Sequence, residues 1–287
     1  MNKYNIFVDL SADMTIDFAK ENDICFIPME YSLGADFRTA NYLESDKDLI
    51  TFYNSQRNGD LTKTTQITPF FYEEFFKEYL DKGIDILYLP LSSGLSKTYE
   101  SALLAKNNLL EEYPNAKIEI VDSLAATGGI GILTEKAVEF RNNGLTIEEA
   151  SLKLCELTKK IRHWFLVSDL NYLKRGGRVS ATTAFIGTAL KITPILEINK
   201  KGKLDTIAKK RGVKMAANQL VEYYKQYHDE NENSIYICHS DNEEIALYVK
   251  EKLLEYNPNL DIKITYLSPI IGAHTGPGMV SICTLGK

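Results

Sequence analysis

The sequence predicts an α/β protein of two domains, an N-terminal domain on a parallel, Rossmann-like sheet (1–160) and a C-terminal α+β domain with a mixed sheet (161–287). Three observations predict it. The 287 residues are about twice a typical single domain. The first half repeats a short apolar run, closed by hydroxyl or acidic residues and followed by a segment of helical period, as β-α units around a parallel sheet do. The second half holds strand-like runs with fewer helices between them and a hairpin signal.

Taken in order, the first strand covers residues 5–8 and ends at Asp9-Leu10-Ser11-Ala12-Asp13. The second, 24–28, continues into Met29-Glu30-Tyr31. Thr68-Pro69 reads as a cap with proline at the first helical position, opening a helix to about Leu80. A strand over 84–91 ends at Ser92-Ser93-Gly94, a helix over 98–112 follows, and a strand over 118–121 ends at Asp122-Ser123. Thr146 and Glu149 form a capping box for a helix reaching about Lys160, where the boundary is placed. Beyond it, strands are expected over 164–167, 194–198, 203–207, 234–238, 262–266 and 279–284. Lys200-Lys201-Gly202-Lys203 reads as a hairpin turn, so part of this sheet should be antiparallel.

Hydrophobic residues make up 44% and charged residues 25%, values that exclude wholesale disorder and a collagen-like chain. Thirty-three basic against thirty-nine acidic residues leave a charge of -6, which excludes general attraction to nucleic acid or an anionic membrane. No apolar stretch approaches the roughly 18 residues of a membrane span. Residues 1–10 lack the long hydrophobic region of a signal peptide. The four cysteines stand singly among apolar neighbours and read as buried thiols, in keeping with a reduced cytoplasmic setting.

In open parallel sheets ligands gather beyond the carboxyl ends of the strands, where the polar clusters fall. Leu91-Ser92-Ser93-Gly94-Leu95-Ser96 joins a strand to a helix and offers hydroxyls plus free backbone N–H groups, a receptor for carboxylate or phosphate or simply a cap. Lys63-Thr64-Thr65-Gln66 supplies a second hydroxyl run before a helix, with the same two readings. Ile271-Gly272-Ala273-His274-Thr275-Gly276-Pro277-Gly278 reads as a glycine-rich loop bringing a histidine to a site or to a solvated turn. His163, His228 and His239 lack metal-ligand spacing and read as ordinary surface or core histidines. A loop over residues 171–180 carries the basic cluster Lys174-Arg175-Gly176-Gly177-Arg178, and a second cluster lies at Lys209-Lys210-Arg211, both fit for a phosphate or an acidic partner. Asp9, Asp13, Asp122 and Asp169 are candidate magnesium ligands, but no phosphate-binding glycine-lysine-serine loop accompanies them, and no metal is expected.

These segments, with Val121-Asp122-Ser123 and Val179-Ser180, fall in an order across the whole chain that resembles the DegV family of bacterial fatty-acid-binding proteins, whose members include the FakB subunits of fatty acid kinase. The resemblance implies a two-domain α/β protein holding one long-chain fatty acid in a buried tunnel between domains, with no other cofactor. By motif position, Thr64 and Ser96 would hydrogen-bond the carboxylate and His274 would complete the polar network, with Thr65 and Ser93 beside them. Arg211, with Arg175 and Arg178, would dock an ATP-dependent kinase subunit that phosphorylates the bound acid to an acyl phosphate, so the chain itself would be no enzyme. The chain departs from the family pattern at Leu10, Thr65, Ile67 and Lys97, where serine, serine, proline and glycine are usual.

Two other readings accompany it. Ser93 or Ser96, Asp169 and His274 follow the chain order of the α/β-hydrolase triad, although the G-x-S-x-G elbow is missing. A regulatory protein whose bound lipid signals its state is the third reading.

Overall fold

The computed structural model describes residues 4–40, 45–180 and 192–287. The expectation drawn from residues 1–10 therefore falls partly on residues 1–3, outside the described residues. Up to residue 160 the chain runs β1 (Tyr4–Asp9), α1 (Ile16–Glu21), β2 (Cys25–Ile27), β3 (Glu30–Leu33), β4 (Asp36–Thr39), α2 (Asp46–Arg57), β5 (Thr62–Thr64), α3 (Pro69–Leu80), β6 (Asp85–Leu89), α4 (Thr98–Glu112), β7 (Ile118–Ile120), α5 (Gly128–Asn142) and α6 (Ile147–Leu157), closed by a 3-10 turn (Thr158–Lys160). It continues with β8 (Ile161–Leu166), α7 (Leu170–Arg175), β9 (Ile192–Ile198), β10 (Leu204–Arg211), α8 (Val213–Tyr227), β11 (Ser234–His239), α9 (Glu243–Tyr256), β12 (Asp261–Tyr266), α10 (Pro269–Thr275) and β13 (Val280–Leu285).

The four apolar runs of the first half form one parallel sheet in the order β2-β1-β6-β7. Covered on both faces, such strands need continuous apolar sequence rather than alternation. The helix signals act as expected. The Phe71 N–H donates to Thr68 Oγ1 at 3.2 Å ahead of Pro69. The Thr146 N–H donates to Glu149 Oε2 at 2.8 Å while the Glu149 N–H donates to Thr146 Oγ1 at 3.3 Å. All six strands expected after residue 160 enter one sheet in the order β10-β9-β8-β13-β11-β12, antiparallel except for β11 with β12. The β9–β10 hairpin turns where expected, with Gly202 at φ 68°, a conformation costly for any side chain.

Four expectations are corrected. A third, antiparallel sheet β4-β3-β5 incorporates Glu30–Leu33 and Thr62–Thr64, segments read as the continuation of a strand and as a hydroxyl run before a helix. β4 is exposed along its whole length, and a polar strand carries no apolar run to reveal it. The segment around His274 is a helix, α10, with proline at its first turn and Gly276 at φ 69° beyond its end. Residues 171–175 are likewise helical, in α7. Only Cys238 and Cys283 are buried, whereas Cys155 is exposed, one position past the buried stripe Ile147, Ala150, Ser151 and Leu154 of α6.

α5 packs on β1 and β6 on one side and on β11 and β13 on the other, so the two large sheets share it. Its opening Gly128-Gly129-Ile130-Gly131 has poor helix propensity. A Cβ on Gly128 would stand 2.2 Å from Tyr236 Cβ, so the glycine is what lets the helix reach β11. The main core accordingly runs through both sheets, joining Ile6, Phe7 and Leu87 to Phe165, Tyr236 and Cys283. A second core, with Trp164, Leu220 and Val249, fills the outer face of the six-stranded sheet under α8 and α9.

Candidate functional site

Asp9, at the end of β1, is fully buried, and its carboxylate is occupied by donors. Oδ1 accepts from the backbone and hydroxyl of Ser11, and Oδ2 accepts from Tyr88 Oη at 3.0 Å and the Leu91 N–H at 2.9 Å. A buried carboxylate is tolerated only with such compensation. The consequence is a fixed starting point for the loop after β6. Further on, Asp122 Oδ1 accepts from the Ser93 N–H at 3.0 Å, and the Leu95 and Ser96 N–H groups turn back to Ser92 O. Ser96 Oγ lies 2.7 Å from Thr98 Oγ1 at the start of α4.

The second loop is held against the first by Gln66, whose Nε2 donates to Lys97 O at 3.2 Å and to Ser101 Oγ at 2.6 Å. Its strand, β5, is fastened to α10 by Thr62 Oγ1 donating to Ala273 O at 3.0 Å, and Gln56 of α2 bridges the two, its Nε2 donating to Thr62 Oγ1 at 2.9 Å and to Gly272 O at 3.0 Å. That attachment brings Thr64 Oγ1 to 2.8 Å from His274 Nε2. The other ring nitrogen, Nδ1, is buried without a partner. A Cβ on Gly176 would come within 2.3 Å of it, so the turn after α7 presses on the imidazole. Burial, with a smaller effect of the Arg178 charge, pushes the His274 pKa down to about 4, which keeps the ring neutral.

Thr64, Thr65, Ser93, Ser96 and His274 line one cavity of about 440 Å³. That size lies within the range of roughly 300–1,000 Å³ usual for small-molecule sites. The hydroxyls and the imidazole are joined there by apolar side chains, among them Met29, Leu91, Ile198, Leu204, Ile271 and Met279. Arg178 enters the same cavity, with Nε donating to Leu95 O at 3.1 Å and Nη1 donating to Gly176 O, and desolvation lowers its pKa. Chemically the lining suits an amphiphile with an anionic head, offering neutral donors and one guanidinium to the charge and apolar walls to the rest.

Among the residues expected to dock a partner, Arg175 is exposed, its guanidinium carbon 4.4 Å from the Tyr172 ring centroid. Arg211 is exposed at the end of β10 away from the cavity, seven residues along the strand from the cavity-lining Leu204, about 23 Å by strand rise. Lys97 turns its Nζ to Glu100 Oε1 at 2.8 Å, Ile67 is buried, and Leu10 is buried with its carbonyl accepting from Ser268 Oγ at 2.7 Å. The hydrolase triad is not assembled. His274 Nε2 engages Thr64, Ser96 engages Thr98, and Asp169 Oδ1 accepts from the Asn171 N–H at 2.8 Å to cap α7. Asp13 Oδ1 accepts from the Ser268 N–H at 2.7 Å, and burial pushes its carboxyl pKa well up. Among the described residues no three of His, Cys, Asp and Glu converge as metal ligands.

Sequence reasoning passed over His163. It lines the same cavity from β8, its Nε2 2.8 Å from Thr127 Oγ1, and burial pushes its pKa down to about 4. Thr127 is a buried, β-branched residue at φ 52°, a strained conformation of the kind found at ligand sites. Nothing in the spacing of the two residues, 36 positions apart, announces the pair.

The chain matches the model of the DegV family of uncharacterised proteins over residues 3–287. A DegV domain-containing protein of Clostridium perfringens is 39% identical over 290 residues, covering 100% of this chain and 98% of the relative. A fatty acid-binding protein of Thermotoga maritima is 33% identical over 283 residues, covering 97% of this chain and 96% of the relative. The crystal structure of a DegV lipid-binding protein from Thermotoga maritima matches with a TM-score of 0.86 at 31% identity, over 99% of this chain and 98% of that one.

Proposed function

The chain belongs to the DegV family, and on that premise we propose that it holds one long-chain fatty acid in the cavity between its sheets, with the carboxylate among Thr64, Ser96 and His274. The observation that carries the reading is the convergence of those three side chains, from three distant segments, on one largely apolar cavity. The fatty acid-binding relative supports the ligand class. Burying about 14 to 16 methylenes at roughly 0.8 kcal/mol each supplies a gross driving force of about 11 to 13 kcal/mol. The head group then needs only to keep its hydrogen bonds, which the hydroxyls, the neutral imidazole and Arg178 provide.

In this reading the protein is a carrier rather than an enzyme. It presents the carboxylate to a separate ATP-dependent kinase in the cytoplasm, which makes the acyl phosphate, and the exposed Arg175 and Arg211 serve the docking surface. Among the described residues no helix is long and apolar enough to cross a membrane. The test begins with mass spectrometry of organic extracts from the purified protein, where a stoichiometric long-chain acid is expected. The loaded protein is then mixed with the separate kinase subunit of a fatty acid kinase and ATP, and the acyl phosphate is trapped with hydroxylamine. No acid in the extracts overturns the binding assignment. Bound acid without acyl hydroxamate overturns delivery and leaves a lipid-dependent regulator.

A further inference from the structure

Neighbouring antiparallel strands place their inner-face residues side by side, and on β8 and β9 Phe165 pairs with Leu196. Continuing that register by two residues would put His163 beside Ile198. The ladder stops short of them, at Trp164 with Glu197, although β8 stays paired with β13 as far as Ile161 with Leu285. β9 leaves β8 because its hairpin is fastened elsewhere. Ser92 Oγ donates to Gly202 O at 2.8 Å, and Asn199 Oδ1 accepts from the N–H groups of Lys201 at 2.8 Å and Lys203 at 3.1 Å. The hairpin tip thus belongs to the loop after β6, and the six-stranded sheet opens between β8 and β9 beyond the Trp164–Glu197 pair.

A second cavity, of about 500 Å³, occupies this opening. Its apolar side is formed by Leu124, Ile161, Trp164, Ile207 and Tyr223, with the Trp164 and Tyr223 rings stacked at 6.0 Å, and its rim is polar, carrying Lys159, Arg162, Glu197 and Lys200. Two side chains line both this cavity and the one holding Thr64, Ser96 and His274, and they are His163 and Ile198. His163 is pinned by Thr127, so swinging it aside would strand a buried imidazole. Ile198 is held more lightly, in a small cluster with Leu91 and Ala126 apart from both main cores.

We propose that Ile198, standing against the fixed His163, marks the acyl-chain length at which the first cavity is full, and that the tail of a longer acid passes it into the cavity where β8 and β9 part. This rests on the fatty-acid reading. Each methylene that gains a dry site tightens binding about fourfold. Affinity should therefore climb with chain length until the first cavity is full and then level off, and Ile198 should decide where.

The experiment measures binding of a series of saturated acids, from myristic upward in steps of two carbons, to the wild type, Ile198→Ala, Ile198→Phe and Ile207→Trp, with mass spectrometry of the acids retained from a mixture. Ile198→Ala should move the plateau at least two carbons longer, a gain of about tenfold or more for the longest acids. Ile198→Phe should move it shorter. Ile207→Trp fills the second cavity without touching the first, so it should leave the shorter acids unaffected and weaken the longest. If folded Ile198 variants keep the wild-type plateau, or if Ile207→Trp leaves the longest acids bound as before, the proposal is overturned. A wild type that binds none of the acids overturns the fatty-acid reading itself, a distinguishable result.

Discussion

The hydroxyl of Thr64 meets Nε2 of His274 at 2.8 Å, tying the end of a short polar strand to the last turn of a helix 210 residues further along the chain. Both residues are supported from behind, since Thr62 donates to Ala273 O and Gln56 to Gly272 O. This polar end of the cavity is therefore a seam between the small sheet and α10.

Breaking that seam at its polar atoms should weaken binding without unfolding the protein. Thr64→Val removes the hydroxyl but keeps the shape, and Ser96→Ala removes a surface-accessible donor. Each should cost about 1–2 kcal/mol of ligand binding, roughly 5- to 30-fold in affinity, with little change in thermal midpoint. Titration with fatty acid and the lipid content of purified protein check this. Unchanged occupancy in both variants counts against the assigned roles.

Gly176→Ala should disable the site by another route. Gly176 has ordinary helical φ, so the backbone accepts alanine, but the new methyl would meet His274 Nδ1 at 2.3 Å. The imidazole must then move off Thr64. Fatty acid retention should fall at least as far as in Thr64→Val while circular dichroism stays that of the wild type.

Asp9→Asn probes the foundation. The carboxylate accepts four hydrogen bonds, and an amide replaces one acceptor oxygen with donors that face Tyr88 or Ser11. Loss of about 2–4 kcal/mol of stability is expected from mismatched buried donors. Urea unfolding measures it, and a shift below about 1 kcal/mol would contradict the anchoring role.

Acid should destabilise the fold. Burial pushes His163, His239 and His274 down to about 4. Their unfolded forms titrate near 6.5, so between these values the unfolded chain binds more protons. The stability these neutral rings contribute is complete above about pH 6.5 and is lost as pH falls toward 4, with a ceiling of about 3 kcal/mol per histidine. Asp13, raised by burial, has the opposite sign and offsets part of the loss. Urea midpoints should fall steadily from pH 7 to pH 4.5. A flat or rising midpoint would show that these rings are not held neutral.

The local chemistry of the elements was legible along the chain. Thr68-Pro69 and the Thr146–Glu149 box start their helices, and the apolar runs of each half fall into the sheet expected of them, because capping and periodicity act within a few residues. The resemblance also pointed to Thr64, Ser96 and His274, which line one cavity. The exposed β4 was not legible, nor the helix α5 that begins with glycines, nor α10 in place of a loop, since tertiary contacts override local preference there.

By itself the sequence determined the capped helices and the apolar strands of each half, since those depend on neighbours a few positions away. Only the tertiary structure decided that Arg178 faces the cavity while Arg211 stands far along β10, that His163 rests on Thr127, and that the sheet parts at Ile198. Each of these depends on where a hairpin or loop is pulled by a partner more than thirty residues away, as Gly202 is by Ser92, and no spacing along the chain encodes such a pull.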